Sequence, residues 1–163
     1  MSPTLHRDPT RRAVDSDATP DFPDPEGRFD GLPLKIAYYT GRDWMVLADL
    51  AYKAKRGTVA TIRRGFLYDF GSIPRFFWRV LFPPTGDRGN PAGVAFTFHD
   101  WLYCHQEMDG VPITRAVADS IMLEILLYTG CSKWKSLAVY RGVRLGGWVP
   151  WRKHGKANRR SES

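Results

Sequence analysis

Two apolar runs with helical spacing, Ala92–His105 and Thr114–Tyr128, are joined by little more than Met108-Asp109-Gly110-Val111-Pro112-Ile113. So short a connection obliges the two segments to fold back on each other as an antiparallel helix hairpin. Thr114 is the expected N-cap of the second helix and Gly130 its terminator. That geometry decides which side chains meet. His99 and Tyr103 are four residues apart and share one helical face, while Asp100 projects about 100° away toward a flank. Folding the chain about a midpoint near Val111 sets Asp119 level with Tyr103, with His99 one turn, or ~6 Å, along the axis. A carboxylate at that point accepts from both the imidazole and the phenol.

The grouping has a chemical use. A carboxylate that fixes the tautomer of His99 leaves the other ring nitrogen free to take a proton from water. His99, Asp119 and Tyr103 are therefore the candidate catalytic residues. Asp100, pointing elsewhere, is a candidate metal ligand, and Asp69, in the turn Tyr68-Asp69-Phe70-Gly71-Ser72, is a second. Oxygen ligands of this kind suit a hard ion such as Ca²⁺. A cation polarising an ester or phosphoryl oxygen beside a His–Asp base would make a hydrolytic centre. The same three groups also serve as a satisfied polar knot that fixes helix packing and does nothing more. His6, His105 and His154 stand in polar or terminal contexts and receive no role.

Upstream of the hairpin the pattern is that of strands. Leu34–Tyr39, Trp44–Ala48, Val59–Ile62 and Gly65–Tyr68 alternate or run apolar between turn residues, with Gly41-Arg42-Asp43 as one turn. Gly71, Ser72 and Pro74 interrupt the pattern, Arg75–Leu81 reads as a short aromatic helix, and Pro83–Pro91 as a loop. A third helix is expected over Ser132–Leu145, stopping at Gly146-Gly147. The fold class is α+β, a small antiparallel β meander followed by a three-helix segment containing the hairpin. Residues 1–28 and 152–163 are polar, so they are expected to be an extended arm and a basic tail around one globular domain, 29–151.

The 163 residues carry a formal charge of +7, which favours an anionic partner without choosing one. Lys133, Lys135, Arg141, Arg144, Arg152, Lys153, Lys156, Arg159 and Arg160 crowd the C-terminal part, interleaved with Trp134, Trp148 and Trp151. Such a segment suits anionic lipid or nucleic acid, although on the third helix the charges also read as a solvated face. Cys104 and Cys131 match no zinc spacing and fall at opposite ends of the hairpin, so no disulfide is expected. The opening MSPTLHRDPTRR has no secretory apolar run, and no stretch is long enough for a transmembrane helix.

Gly65-Phe-Leu-Tyr-Asp-Phe-Gly-Ser-Ile-Pro-Arg75, then Phe98-His-Asp-Trp-Leu-Tyr103, then Arg115-Ala-Val-Ala-Asp119 and the Arg/Gly/Trp-rich third helix stand in an order and spacing that resemble the phage and prophage family catalogued as domain of unknown function 1353. The likeness runs from about Phe29 to Trp151 and implies a phage origin more than a reaction. More locally, His99-Asp100-x-x-Tyr103 followed by Asp119 on the next antiparallel helix is similar to the catalytic helix pair of secreted phospholipases A2. That resemblance implies His99 as water-activating base, Asp100 as Ca²⁺ ligand, and Asp119 and Tyr103 as orienting partners. Leu102 stands where that family has a cysteine, and the loop at Asp69 has only Gly71 of a glycine-rich calcium sequence.

Three functions follow as expectations. The first is a virion-associated structural protein of a phage tail or neck, made in the host cytoplasm, whose terminal arms contact other phage structural proteins. The second is a metal-assisted hydrolase, phospholipase- or esterase-like, acting on the host envelope. The third is a nucleic-acid-binding accessory protein using the basic tail.

Overall fold

The computed structural model describes residues 26–41, 43–69 and 91–161, with side chains from 92 to 155 in the last segment. The expected N-terminal arm lies outside these residues up to position 25, as do the short aromatic helix at 75–81 and most of the loop at 83–91.

The first half is antiparallel strand. β1 (Phe29–Asp30), β4 (Leu50–Lys53) and β5 (Val59–Ile62) form one three-stranded sheet, in that order. β2 (Ile36–Thr40), β3 (Asp43–Val46) and β6 (Leu67–Tyr68) form another. The antiparallel pairing is as expected, but the strands are shared between two sheets instead of running as one meander. β4 escaped the sequence reading because Asp49-Leu-Ala-Tyr-Lys shows only two bulky apolar residues. Those two decide its place. Leu50 and Tyr52 alternate inward and pair across the ladder with buried Ile62 and Ala60, the period-2 pattern of a half-buried strand.

β1 comes back against β4 through an unusually close passage at Gly31. Its φ is +91°, and a Cβ there would stand 2.1 Å from the Asp49 carbonyl oxygen. Only glycine fits both demands.

The helical half begins with α1 (Pro91–His105). Ala92, Val94, Ala95, Phe96, Phe98, Leu102 and Tyr103 are all buried, so the helix is apolar around most of its circumference and runs through the middle of the core. On one side it meets the β1–β4–β5 sheet, where Phe98 packs 6.0 Å from Tyr52 and 6.3 Å from Phe29 between ring centroids. On the other it meets α2 (Arg115–Tyr128). Thr114 is the N-cap as expected, its side chain accepting from the Val117 amide. At the far end Gly130 at φ +89° lets the Cys131 and Gly130 amides donate to the Leu126 and Leu127 carbonyls, the Schellman ending of a helix.

The connection between the helices is itself a two-stranded ribbon, β7 (Glu107–Met108) with β8 (Val111–Pro112). Asp109 and Gly110 both have positive φ, 50° and 72°, as a two-residue turn of type I′ requires. The Asp109 carboxylate accepts from the Val59 amide at 2.8 Å, which pins the ribbon to β5.

α3 (Lys133–Gly146) follows and ends where expected. The chain does not become a loose tail. A fourth helix among the described residues, α4 (Trp148–Ser161), begins at once. Composition misled here because most of residues 152–161 are polar, whereas three of this helix's residues find partners. Trp151 stands edge-on to Tyr103 at 5.1 Å, and its carbonyl accepts from Gln106 at 2.7 Å. His154 and Gly155 lie over Cys104 and Gln106. Pro150 falls in the first turn, where its missing N–H costs nothing. Cys104 and Cys131 are free thiols.

Replacing Gly31 by alanine should lower unfolding stability by about 2–3 kcal/mol, because left-handed strain adds to a backbone overlap. Gly57→Ala, also at positive φ but with open space around the new Cβ, should cost roughly 1 kcal/mol. Urea midpoints of the two variants check the difference.

Candidate functional site

The helix hairpin brings together the groups that the spacing pairs. His99 Nε2 lies 2.9 Å from Asp119 Oδ1, and the Tyr103 hydroxyl donates to the same oxygen at 2.6 Å. All three residues are fully buried. The other carboxylate oxygen is held by two guanidinium groups. Arg144, from α3, donates to Oδ2 at 2.8 Å, and Arg115, one turn before Asp119 on α2, lies 3.5 Å from it. Arg115 also donates to the Val143 and Arg144 carbonyls at the end of α3. One buried carboxylate thus joins three helices.

The two arginines were not assigned to the site from the sequence. Arg115 had a signal, since it stands four residues before Asp119 on the same helix face. Arg144 had none, because its approach depends on how α3 crosses α2.

The electrostatics follow from these partners. Burial alone would raise the pKa of Asp119, but the bonds from His99, Tyr103 and Arg144 outweigh it and hold the carboxyl below its ordinary range. Burial pushes the His99 imidazole down from its ordinary value, the Asp119 bond and charge only partly opposing that, and Arg115 pushes in the same direction as burial. The ring is therefore neutral at neutral pH. Since Asp119 is ionised and accepts at Nε2, the ring proton resides there and the lone pair is on Nδ1. That Nδ1 is buried and has no hydrogen-bond partner among the described residues. The Tyr103 phenol is pushed well up, first by burial and then by its bond to Asp119, so it stays a donor.

Asp100 is buried on the neighbouring flank of α1, and Asp69 is exposed at the end of β6. Burial raises the Cys104 thiol to about 12, with the charges of Asp100 and Asp69 adding to it. The two carboxylates thus act on one spot, apart from the His99 face. Among the described residues no three His, Cys, Asp or Glu side chains converge as a metal-binding set. His154, given no role from the sequence, places Nε2 3.9 Å from Cys104 Sγ. With the thiol held protonated, that contact is not an activated nucleophile.

The shifts of His99 and Asp119 carry the same sign for stability. A folded imidazole with a depressed pKa binds no proton where the unfolded chain does, so stability is lost as pH falls through the ordinary value of 6.5. Asp119 adds a loss at lower pH, as the solution falls from the ordinary carboxyl value of 3.8 through its depressed folded one. In His99→Gln the first of these limbs should flatten relative to the parent chain, and the second should remain. Urea midpoints measured from about pH 8 down to about pH 3 separate the two windows.

Residues 44–143 match the family model described as "Protein of unknown function (DUF1353)". No curated protein and no solved structure matches the chain. The matched span takes in β3 to β6, the helix hairpin and nearly all of α3, and so includes His99, Tyr103 and Asp119. The chain belongs to the DUF1353 family.

Proposed function

We propose that this domain is a hydrolase whose general base is His99, acting on an ester bond of the host cell envelope. The observation that carries the reading is the imidazole itself. Its Nε2 is locked on an ionised carboxylate, and its Nδ1 is a buried acceptor without a partner among the described residues. A buried polar atom left in that state calls for a reason, and a catalytic role supplies one.

The chemistry is proton transfer. Water donates a proton to Nδ1 as its oxygen attacks the acyl carbon. The imidazolium, stabilised by the Asp119 charge, then returns the proton to the leaving alkoxide as the acyl–oxygen bond breaks. The products are a carboxylic acid and an alcohol. Tyr103 and Arg144 are positioning residues, holding the carboxylate that holds the ring. Asp100 and Asp69, the residues that would hold a cation, act on a spot apart from the His99 face. Calcium takes six to eight oxygens, of which these carboxylates supply a part, and the proton transfer at His99 does not depend on them.

Hydrolysis of p-nitrophenyl acyl esters and of phospholipid vesicles, with Ca²⁺ and with chelator, tests the proposal. His99→Gln keeps an N–H toward Asp119 but has no basic nitrogen, so it should retain the fold by circular dichroism and lose roughly 10²–10⁴-fold in rate. Asp119→Asn should lose activity together with about 3–5 kcal/mol of stability, since two guanidinium groups are left facing a neutral amide. A parent chain without hydrolysis under every condition, or a His99→Gln variant at full rate, ends the proposal.

A second reading, compatible with the first, makes the chain a component of a phage particle. It is supported by the resemblance of the motifs at 65–75, 98–103 and 115–119 to a phage and prophage family. Mass spectrometry of purified particles should find the chain, and clear absence removes this reading.

A further inference from the structure

The outer face of α3 and α4 carries bulky apolar side chains that no other described residue covers. Trp134, Leu137, Arg141 and Leu145 recur at three- and four-residue intervals along α3 and are all exposed, opposite buried Ser136, Val139 and Val143. Just past Gly147, at the start of α4, Trp148, Val149 and Arg152 are exposed as well. Leu145 is 80% exposed and Trp134 63%, values far from those of a packed helix face. Cations are set among these residues. The Lys135 ammonium lies 5.7 Å from the Trp134 ring centroid, and the Arg152 guanidinium 5.4 Å from that of Trp148. Between Glu124 and Ser161 the sequence has no aspartate or glutamate.

The charge selects the occupant. A second copy meeting this chain through the same face would bring the same cations against one another without a single acid on the segment, which repels. A nucleic-acid groove has use for the cations but none for Leu145 and Val149, which would face the phosphates. Aromatic and aliphatic side chains ringed by lysine and arginine fit the boundary between headgroups and acyl chains. There the apolar bodies are buried and the charges meet anionic headgroups.

We propose that the outer face of α3 and α4 is an interfacial binding surface for anionic lipid, with Trp134, Leu145, Trp148 and Val149 entering the bilayer boundary. The proposal is independent of the hydrolase reading, as it uses no residue of the His99 centre and its test has no reaction in it.

The full chain is sedimented with vesicles of phosphatidylcholine alone or mixed with phosphatidylglycerol, tryptophan emission is followed, and duplex DNA is titrated in parallel. Binding to the mixed vesicles should exceed binding to phosphatidylcholine, shift the emission to shorter wavelength and weaken with added salt. Leu145→Gln with Val149→Gln should weaken it roughly tenfold, the equivalent of ~1.4 kcal/mol. Arg141→Glu with Arg152→Glu should abolish the preference for the anionic lipid. Both positions of the first pair are exposed, so circular dichroism should be unchanged. Absence of vesicle binding overturns the proposal, as does binding to DNA in preference to vesicles, binding indifferent to phosphatidylglycerol, or binding that survives the loss of Leu145 and Val149.

Discussion

The helical half of the molecule is organised around a single buried negative charge. An isolated carboxylate in such a place costs several kcal/mol or more, and Asp119 is there only because three donors and one further cation converge on it. Two come from α1 and one from α3, and Arg115 of its own helix completes the set. The arrangement fixes more than energy. Apolar packing of Phe98, Leu102 and Ile125 tolerates small slips of one helix on another, whereas a carboxylate with both oxygens engaged tolerates almost none. Register between α1, α2 and α3 is set by these bonds and depth by the hydrophobic contacts.

The charges of the site also decide which ring of chemistry is open to it. With Asp119 answered by Arg144 and approached by Arg115, the imidazole receives less help in holding a proton than a carboxylate alone would give. Burial takes away more. His99 is therefore a neutral ring whose Nδ1 is a buried acceptor. On the Asp100 flank, burial first and the negative charges of Asp100 and Asp69 after it keep the Cys104 thiol protonated. Two faces of one helix, a single residue step apart, thus differ in electrostatic character.

What the sequence made legible follows from how local the determining interaction was. The helix hairpin and the His99–Asp119–Tyr103 meeting were readable because four-residue spacing and a six-residue connection leave little freedom. Thr114 and Gly130 were readable because caps are local chemistry. Arg144 was not, since its reach to Asp119 depends on the crossing of α3 over α2, a tertiary fact. The division of the strands into two sheets was hidden for the same reason, as β1 pairs with a strand some twenty residues on. α4 was hidden by composition, where three contacts at Trp151, His154 and Gly155 outweigh a polar majority. The site's second oxygen and the chain's last helix were both settled by packing over distance.

The joint at Gly147 links that last helix to the buried charge. A Cβ there would stand 2.4 Å from the Tyr103 hydroxyl, and Trp151 closes the same phenol from the side. The tyrosine therefore has no room to swing off Asp119 while α4 remains docked. Undocking of the carboxy-terminal helix would therefore loosen the phenol and, through Asp119, the seat of the imidazole, which makes this helix a latch on the buried charge.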